Sequence, residues 1–300
     1  MTPAEYDFLR QFLKVRSGLV LSNEKQYLVE SRLLPVARKV GLPSIAALVA
    51  RMRDPREAAL GEAVVEAMTT NESFFFRDKM PFDHLREVIL PDLLKKRAGQ
   101  RRLRIWCAAA STGQEPYSIA MCLKEMGPAL AGWRVEIIGT DISTEVLDRA
   151  KSGIYTQFEV QRGLPIQMLL KYFTQTGDTW QISSELRQMV QWRKFNLLDS
   201  FAALGAFDVV FCRNVLIYFD QPTKVDILNR IAKLLPEDGY MLLGAAETVV
   251  GLTDAFRSHP DRRGLYLPNV AAKPAAGAAP VTAFAGSAAS RLSTFGSGRL

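Results

Sequence analysis

Side chains that build metal and thiol chemistry are scarce in this 300-residue chain. It has two histidines, His84 and His259, and three cysteines, Cys107, Cys122 and Cys212, with no C-x-x-C among them. No metal site is expected from so sparse a set. The odd cysteines each sit in an apolar segment and read as small buried residues of a reducing, cytoplasmic compartment. No apolar run approaches the roughly 20 residues of a membrane-spanning helix, so direct membrane insertion is not expected. The opening "MTPAEYDFLRQFLK" lacks the apolar stretch of a leader. Neither G-x-G-x-x-G nor a P-loop lysine motif occurs, which argues against dinucleotides and nucleoside polyphosphates.

Positive charge is plentiful and unevenly placed. The net charge is +7. Between Arg10 and Arg56 there are ten Lys/Arg against three Asp/Glu, Glu24, Glu30 and Asp54, a difference that equals the whole excess. Such a region is either a solvated helical surface or a docking face for something acidic, nucleic acid or protein.

Residues 1–70 carry apolar residues at helical spacing throughout. "AEYDFLRQFLKVRSG" stops at Gly18. "SNEKQYLVESRLLPVARKVG" starts at Ser22 or Asn23 and stops at Gly41, with Pro35 expected to kink or divide it. "PSIAALVARMRD" and "EAALGEAVVEAMTT" complete a small all-helical domain. From Arg102 strands alternate with helices: "RLRIWCAA", "PYSIAMCLKEMG", "RVEIIGTD", "STEVLDRAKSG", "FDVVFC", "QPTKVDILNRIAKLL", "GYMLLGAA". That rhythm predicts an α/β domain, residues 83–268, with a parallel sheet covered on both faces. The rhythm breaks between about 154 and 192. There "YFTQTGDTWQIS" reads as two strands around a Gly-Asp turn, a small antiparallel insertion. Residues 269–300 are rich in Ala, Gly, Ser and Pro and are expected to form a disordered tail.

Ligands of an open parallel sheet collect at the carboxyl ends of its strands. After "RIWC" comes "AAASTGQEP", whose small residues Ala108 to Ala110 and Gly113 let a ligand approach the backbone. Glu115 there either complements a helix dipole or meets a ligand ammonium. Asp141 ends the second strand and either caps the next helix or accepts two ribose hydroxyls. Asn196, after "QWRKF", is a turn residue or a partner for an adenine edge. Asn214 and Tyr218 are polar within the apolar "RNVLIYF"; Tyr218 reads equally as a core aromatic with its hydroxyl at the surface. Ribose, adenine and an amino-acid ammonium without phosphate describe S-adenosyl-L-methionine.

One stretch has no periodicity of its own: "TTNESFFFRD", residues 69–78, three phenylalanines bracketed by polar residues. Together with "WCAAASTGQEPYSIAM", "GTDIS", "GIY", "FNLLD" and "FCRNVLIYFD", in that order, it resembles the CheR family of chemotaxis receptor methyltransferases over residues 1 to about 268. The resemblance implies a class I Rossmann-like methyltransferase domain and methylation of chemoreceptor glutamates by S-adenosyl-L-methionine. It implies that residues 71–82 are a linker contributing to the cofactor pocket. It places Asn71, Ser73, Arg77, Glu115, Asp141, Asn196, Leu197, Arg213 and Asn214 around the cofactor, with Arg77 and Tyr218 at the reacting end. Ser73 stands where the family commonly has threonine, and Gln114 where it commonly has glutamate.

In the family the helical domain faces the receptor's acidic methylation helices, which implicates Lys25, Arg32 and Lys39, spaced by seven, and the neighbouring Arg38. The resemblance also implies that this small sheet can bind a receptor C-terminal pentapeptide where its loop is slightly longer and glycine-bearing; with the compact turn "TQTGDTWQ", no such tether is expected to be needed. A monomer without nucleic-acid partners is expected. A nucleic-acid methyltransferase would also explain the basic pI, but "RNVLIYF" departs from the N/D-P-P-Y/F-type loop of base-amino methylation. A non-catalytic cofactor sensor is the other alternative.

Overall fold

A computed structural model describes residues 1–272; most of the expected tail, 273–300, lies outside the described residues. The chain opens with helix α1 (Pro3–Ser17), begun by a reciprocal capping box between Thr2 and Glu5 and ended by Gly18 in the left-handed conformation. That ending needs glycine twice over. At φ +76° a side chain is strained, and a Cβ would stand 2.7 Å from the Phe219 ring. Helices α2 (Gln26–Lys39), α3 (Ile45–Met52) and α4 (Ala58–Met68) follow. Tyr6, Leu9, Leu13, Val29, Leu33 and Ala37 interlock with Leu48, Val49, Val64 and Met68 in a core of their own.

Pro35 does not divide α2, which runs unbroken through it. Val29, Leu33 and Ala37 form the buried stripe, and Pro35 lies on the opposite, exposed side together with Ser31. The carbonyl that loses its i+4 donor therefore faces solvent, where the loss costs least.

The "FFF" run resolves into three separate anchors. Phe75 is fully buried, with its ring edge-on to Tyr155 at 5.0 Å and to Phe173 at 5.5 Å. Phe76 turns the other way, onto Phe82 at 5.2 Å. Phe74 lies between the guanidinium groups of Arg162 (4.3 Å) and Arg77 (5.4 Å). The run has no period because each ring is bound to a different neighbour. Left-handed backbone at Phe76, Asp78 and Lys79 makes this dispersal possible.

A continuous helical stretch comes next: α5 (Met80–His84), a π-helical turn (Leu85–Ile89) and α6 (Leu90–Lys96). The α/β domain contains strands β1 (Arg102–Cys107) and β2 (Arg134–Asp141), with helices α7 (Gln114–Glu125) and α8 (Thr144–Ser152). The insertion comprises β3 (Ile154–Thr156), α9 (Gln157–Gln161), α10 (Ile166–Tyr172), β4 (Phe173–Thr176), β5 (Thr179–Ile182) and α11 (Ser184–Gln188). Then come β6 (Val190–Lys194), β7 (Val209–Cys212), α12 (Gln221–Leu234), β8 (Tyr240–Leu243), β9 (Phe256–His259) and β10 (Arg262–Pro268).

The main sheet has the order β6-β2-β1-β7-β8-β10-β9. Its first five strands are parallel, and β10 pairs antiparallel with both β8 and β9. The sheet is therefore mixed rather than wholly parallel. Strand β9 escaped the sequence reading because its side chains are largely exposed and polar, as suits an outer strand. The second correction concerns the insertion. Its end moves from 192 to 189, since Val190 onward pairs with β2 along the full strand. "VQWRK" is polar because it forms the opposite edge of the sheet.

Alternate residues of the central strands serve two cores. Leu103, Ile105 and Cys107 face α6 and α7 with Phe75 and Phe82. Trp106, Val210 and Cys212 face α12. The strand order reverses between β1 and β7, and a crevice opens at their carboxyl ends.

Phe75 ties the linker to the insertion as well as to the first core. Phe75→Ala is expected to cost about 3–5 kcal/mol of unfolding free energy, read from urea denaturation. Phe74→Ala, at a half-exposed ring, should cost far less; equal losses at both positions would remove the anchoring role of Phe75.

Candidate active site

One cleft encloses about 960 Å³ of space, counting its open mouth, at the upper end of the roughly 300–1,000 Å³ common for small-molecule sites. Three parts of the chain build it: Ser17, Leu19, Thr69 and Thr70 of the helical domain, residues 71–73 and 77 of the linker, and the ends of β1, β2, β6 and β7. The nine residues assigned to the cofactor by resemblance all line it, as does Tyr218.

Asp141 ends β2 and is buried. Its Oδ2 accepts the Ser111 amide at 2.8 Å and its Oδ1 the Ser143 amide at 3.0 Å. Burial pushes the carboxyl above its usual range, and the backbone donors oppose that shift. Ser143 caps α8 through its own hydroxyl. Asp141 thus has a structural duty of its own, holding the β1–α7 loop against the start of α8. Ser111 in that loop has φ +48° and donates its hydroxyl to the Asn71 carbonyl at 2.8 Å. Asp141, Ser111 and Asn71 therefore form one chain of contacts from sheet to linker.

Glu115 stands in the first turn of α7, buried. Its Oε2 accepts Arg213 Nη1 at 2.7 Å. Burial pushes the Glu115 carboxyl up, and the adjacent guanidinium pulls it back down. Arg213 Nη2 donates to Asp78 Oδ2 (2.7 Å) and to the Arg77 carbonyl (2.9 Å), while its buried Nε has no partner among the described residues. Arg213 is thus balanced by two carboxylates. Arg77 has no carboxylate partner among the described residues; it donates Nη1 to the Glu72 carbonyl at 2.9 Å.

Asn196 is placed differently from expectation. Its Nδ2 donates to the Arg16 carbonyl at 2.7 Å, and its Oδ1 accepts the Leu198 amide at 3.0 Å. The side-chain amide ties β6 to the end of α1, and Asn196 and Leu197 both line the cleft. Asn214 sits at φ +58°, and neither the Ser73 nor the Tyr218 hydroxyl has a hydrogen-bond partner among the described residues. Residues that the sequence reading passed over include Ser17 and Leu19, contributed from another domain, and Glu247, whose segment "AAETVV" carries no periodic or motif signal.

The donor set fits a nucleoside with an amino group. Two buried carboxylates flank the crevice, one cation is already neutralised, and Ala108, Ala109 and Ser111 keep the wall beside β1 thin. No cluster of free cations waits for a polyphosphate among the lining residues. Among the described residues no group of His, Cys, Asp and Glu could hold a metal ion.

Sheet order, crevice and donor set together define a Rossmann-like S-adenosylmethionine-dependent methyltransferase. Residues 71–265 match the family described as CheR methyltransferase, SAM binding domain, and residues 4–69 match CheR methyltransferase, all-alpha domain. The chain belongs to the CheR methyltransferase family. It is 45% identical to chemotaxis protein methyltransferase 1 of Pseudomonas aeruginosa, over 85% of this chain and 93% of that one. It is 43% identical to chemotaxis protein methyltransferase Cher2 of Pseudomonas putida, over 84% and 93%, and 44% identical to a chemotaxis protein methyltransferase of Vibrio anguillarum, over 84% and 92%. Methylation of chemoreceptors with S-adenosylmethionine is the role of this family.

Glu115 must be ionised to hold an ammonium, and its carboxyl titrates above the usual range. Affinity for S-adenosylhomocysteine, by calorimetry, should therefore weaken on acidification before ordinary carboxylates protonate, and Glu115→Gln should be weak with a flatter pH profile. Asp141→Ala should lower affinity at least about tenfold. It should also cost about 1–3 kcal/mol of stability through the two stranded amides. Unchanged affinity would remove Asp141 from the ligand's contacts.

Proposed function

We propose that this chain esterifies glutamate side chains on the cytoplasmic helices of chemoreceptors, acting as a cytoplasmic monomer. The observation that carries this reading is the set of groups gathered in one cleft. It holds two buried carboxylates, Asp141 and Glu115. It also holds Arg77, a guanidinium without a carboxylate partner among the described residues, and the Tyr218 hydroxyl, unengaged among them. The carboxylates suit a ribose and an ammonium, the guanidinium and hydroxyl an incoming carboxylate.

When bound, S-adenosyl-L-methionine supplies an electrophilic methyl group on a sulfonium. A glutamate carboxylate is ionised at neutral pH and needs no base to be nucleophilic, consistent with a cleft lined by no histidine and no cysteine. The residues therefore align and desolvate rather than move protons. Asp141 would accept the ribose hydroxyls and Glu115 the ammonium's hydrogen bonds, with Asn71, Ser73 and Asn214 around the methionine end. Arg77 fixes a carboxylate, and Tyr218 orients the substrate's free oxygen.

The docking face needs revision at one position. Arg32 donates to the carbonyls of Met68 (2.8 Å) and Thr69 (2.9 Å) and to the Thr70 hydroxyl (3.1 Å). It clamps the end of α4 to the linker and is not free for a partner. Its position still supports docking, since Thr69 and Thr70, which it contacts, line the cleft. Lys25, in the turn before α2, and Arg38 and Lys39 at its end remain exposed and outside any ion pair among the described residues. The β4–β5 hairpin closes through a two-residue turn, Gly177-Asp178, with Thr176 opposite Thr179. So short a loop supports independence from a receptor pentapeptide.

The first test is tritiated-methyl transfer to receptor cytoplasmic fragments. Arg77→Ala should lower the rate at least about tenfold, and Tyr218→Phe should lower kcat with cofactor affinity retained, the signature of a contact made in the transition state. Full activity in either variant would sink its assigned role. The second test reads docking in the same assay. Arg38→Glu with Lys39→Glu should raise the receptor KM, added salt should do so in the wild type, and removing the receptor tail should change nothing. A KM indifferent to reversal and salt would return these residues to a solvated surface; a KM that rises on tail removal would establish tethering.

A further inference from the structure

Outside the residues assigned above, one carboxylate is bound with unusual completeness. Glu247 lies just after β8, beyond the sheet's carboxyl edge. Its Oε1 accepts the amides of Val215 (3.0 Å) and Leu216 (2.7 Å), and its Oε2 those of Asn214 (2.7 Å) and Gly244 (2.8 Å). Three of these four donors belong to consecutive residues of the loop that leaves β7. Asn214, the first of them, has φ +58°. Consecutive amides can converge on one anion only where the backbone is bent in this manner. Asn214, Val215 and Tyr218 all line the cleft.

Gly244 completes the arrangement from the other side. A Cβ there would stand 2.7 Å from Glu247 Oε2 and from Asn214 Nδ2, and 2.9 Å from the Asn214 amide nitrogen. Only a residue without a side chain lets the carboxylate and the loop share this space. The far end of the loop has a separate support, since the Tyr218 carbonyl accepts the Val20 amide at 2.9 Å.

We infer that Glu247 is a positioning residue for methyl transfer: its carboxylate fixes the 214–216 backbone, and through it the placement of Asn214 and Tyr218 at the reacting end. It touches neither substrate nor cofactor. The inference rests on the role proposed for Tyr218. A glutamine at 247 keeps the size but turns its NH₂ toward two of the four amide donors. Neither Asp141 nor Glu115 hydrogen-bonds to Glu247 among the described residues; its charge is one of those that push the Glu115 carboxyl up, so the change favours the ionised Glu115.

The full chain is assayed for methyl transfer to a receptor fragment, for S-adenosylhomocysteine affinity and for amide hydrogen exchange across 214–216. Glu247→Gln should lower kcat by about 10- to 100-fold, the cost of roughly ångström-scale misplacement, with receptor KM held within about threefold and any loss of cofactor affinity, through Asn214, smaller than the loss in kcat. Gly244→Ala, which keeps the charge and displaces it, should give the same split. In the wild type the 214–216 amides should exchange slowly, and in both variants faster. Fast exchange at 214–216 in the wild type would overturn the inference without recourse to any variant, whether or not a variant folds. So would kcat within about threefold of wild type in both variants, or a loss explained wholly by cofactor affinity. A fully active Tyr218→Phe would defeat the role of that hydroxyl alone, because the exchange measurement reads the Glu247 contacts directly.

Discussion

The buried guanidinium of Arg213 is the contact on which the cleft depends. Its side chain is 1% exposed, and a charge so placed is costly unless its donors are met. Glu115 from α7, Asp78 from the linker and the Arg77 carbonyl meet them. Three segments distant in sequence are thereby drawn to one point at the end of β7. Arg77 itself has no carboxylate partner among the described residues and donates to the Glu72 carbonyl. Beneath the pair, burial and the neighbouring Glu115 push the Cys107 thiol well above its usual range, so that cysteine is an inert filler and no nucleophile.

The second constraint is that the two domains share the site. Arg16 and Val20 from the helical domain bond to Asn196 and to the Tyr218 carbonyl. Lys14 pairs with Asp220 at 2.7 Å, and Lys194 with Glu62 at 2.8 Å. The exposed ion pairs add little individually. The close approach of Gly18 to Phe219 and the backbone bond at Val20 set the geometry. Whatever rests on the helical domain thus rests on the element that supports Tyr218 in the cleft wall.

Much of this organisation is legible in the chain. Gly18 and Gly153 stop helices where the sequence places them, and the buried strands declare themselves by continuous apolar runs. Asp141, Glu115 and Asn214 stand out because each is polar at the end of such a run. What escapes is set by partners remote in sequence. Pro35 passes within a helix because its face is exposed. Strand β9 is polar because it is an outer strand, and alternation fails there. The amide of Asn196 and the guanidinium of Arg32 are engaged by backbone carbonyls 180 and 36–37 residues away, and Glu247 binds a loop more than 30 residues before it. Local pattern carries no trace of such debts.

Gly163 illustrates how far the linker's influence extends. A Cβ at that position would lie 2.1 Å from the Phe75 carbonyl oxygen, so the insertion is seated directly on the linker backbone. With the Phe75 ring wedged among Tyr155 and Phe173, linker and insertion can part only together, as a single cooperative unit of local opening. Any ligand that grips residues 71–77 then binds the closed form of that unit and not the open one. By mass action its occupancy is transmitted as added stability to a hairpin it never touches. The antiparallel insertion is, in this sense, a thermodynamic reporter of the state of the cleft.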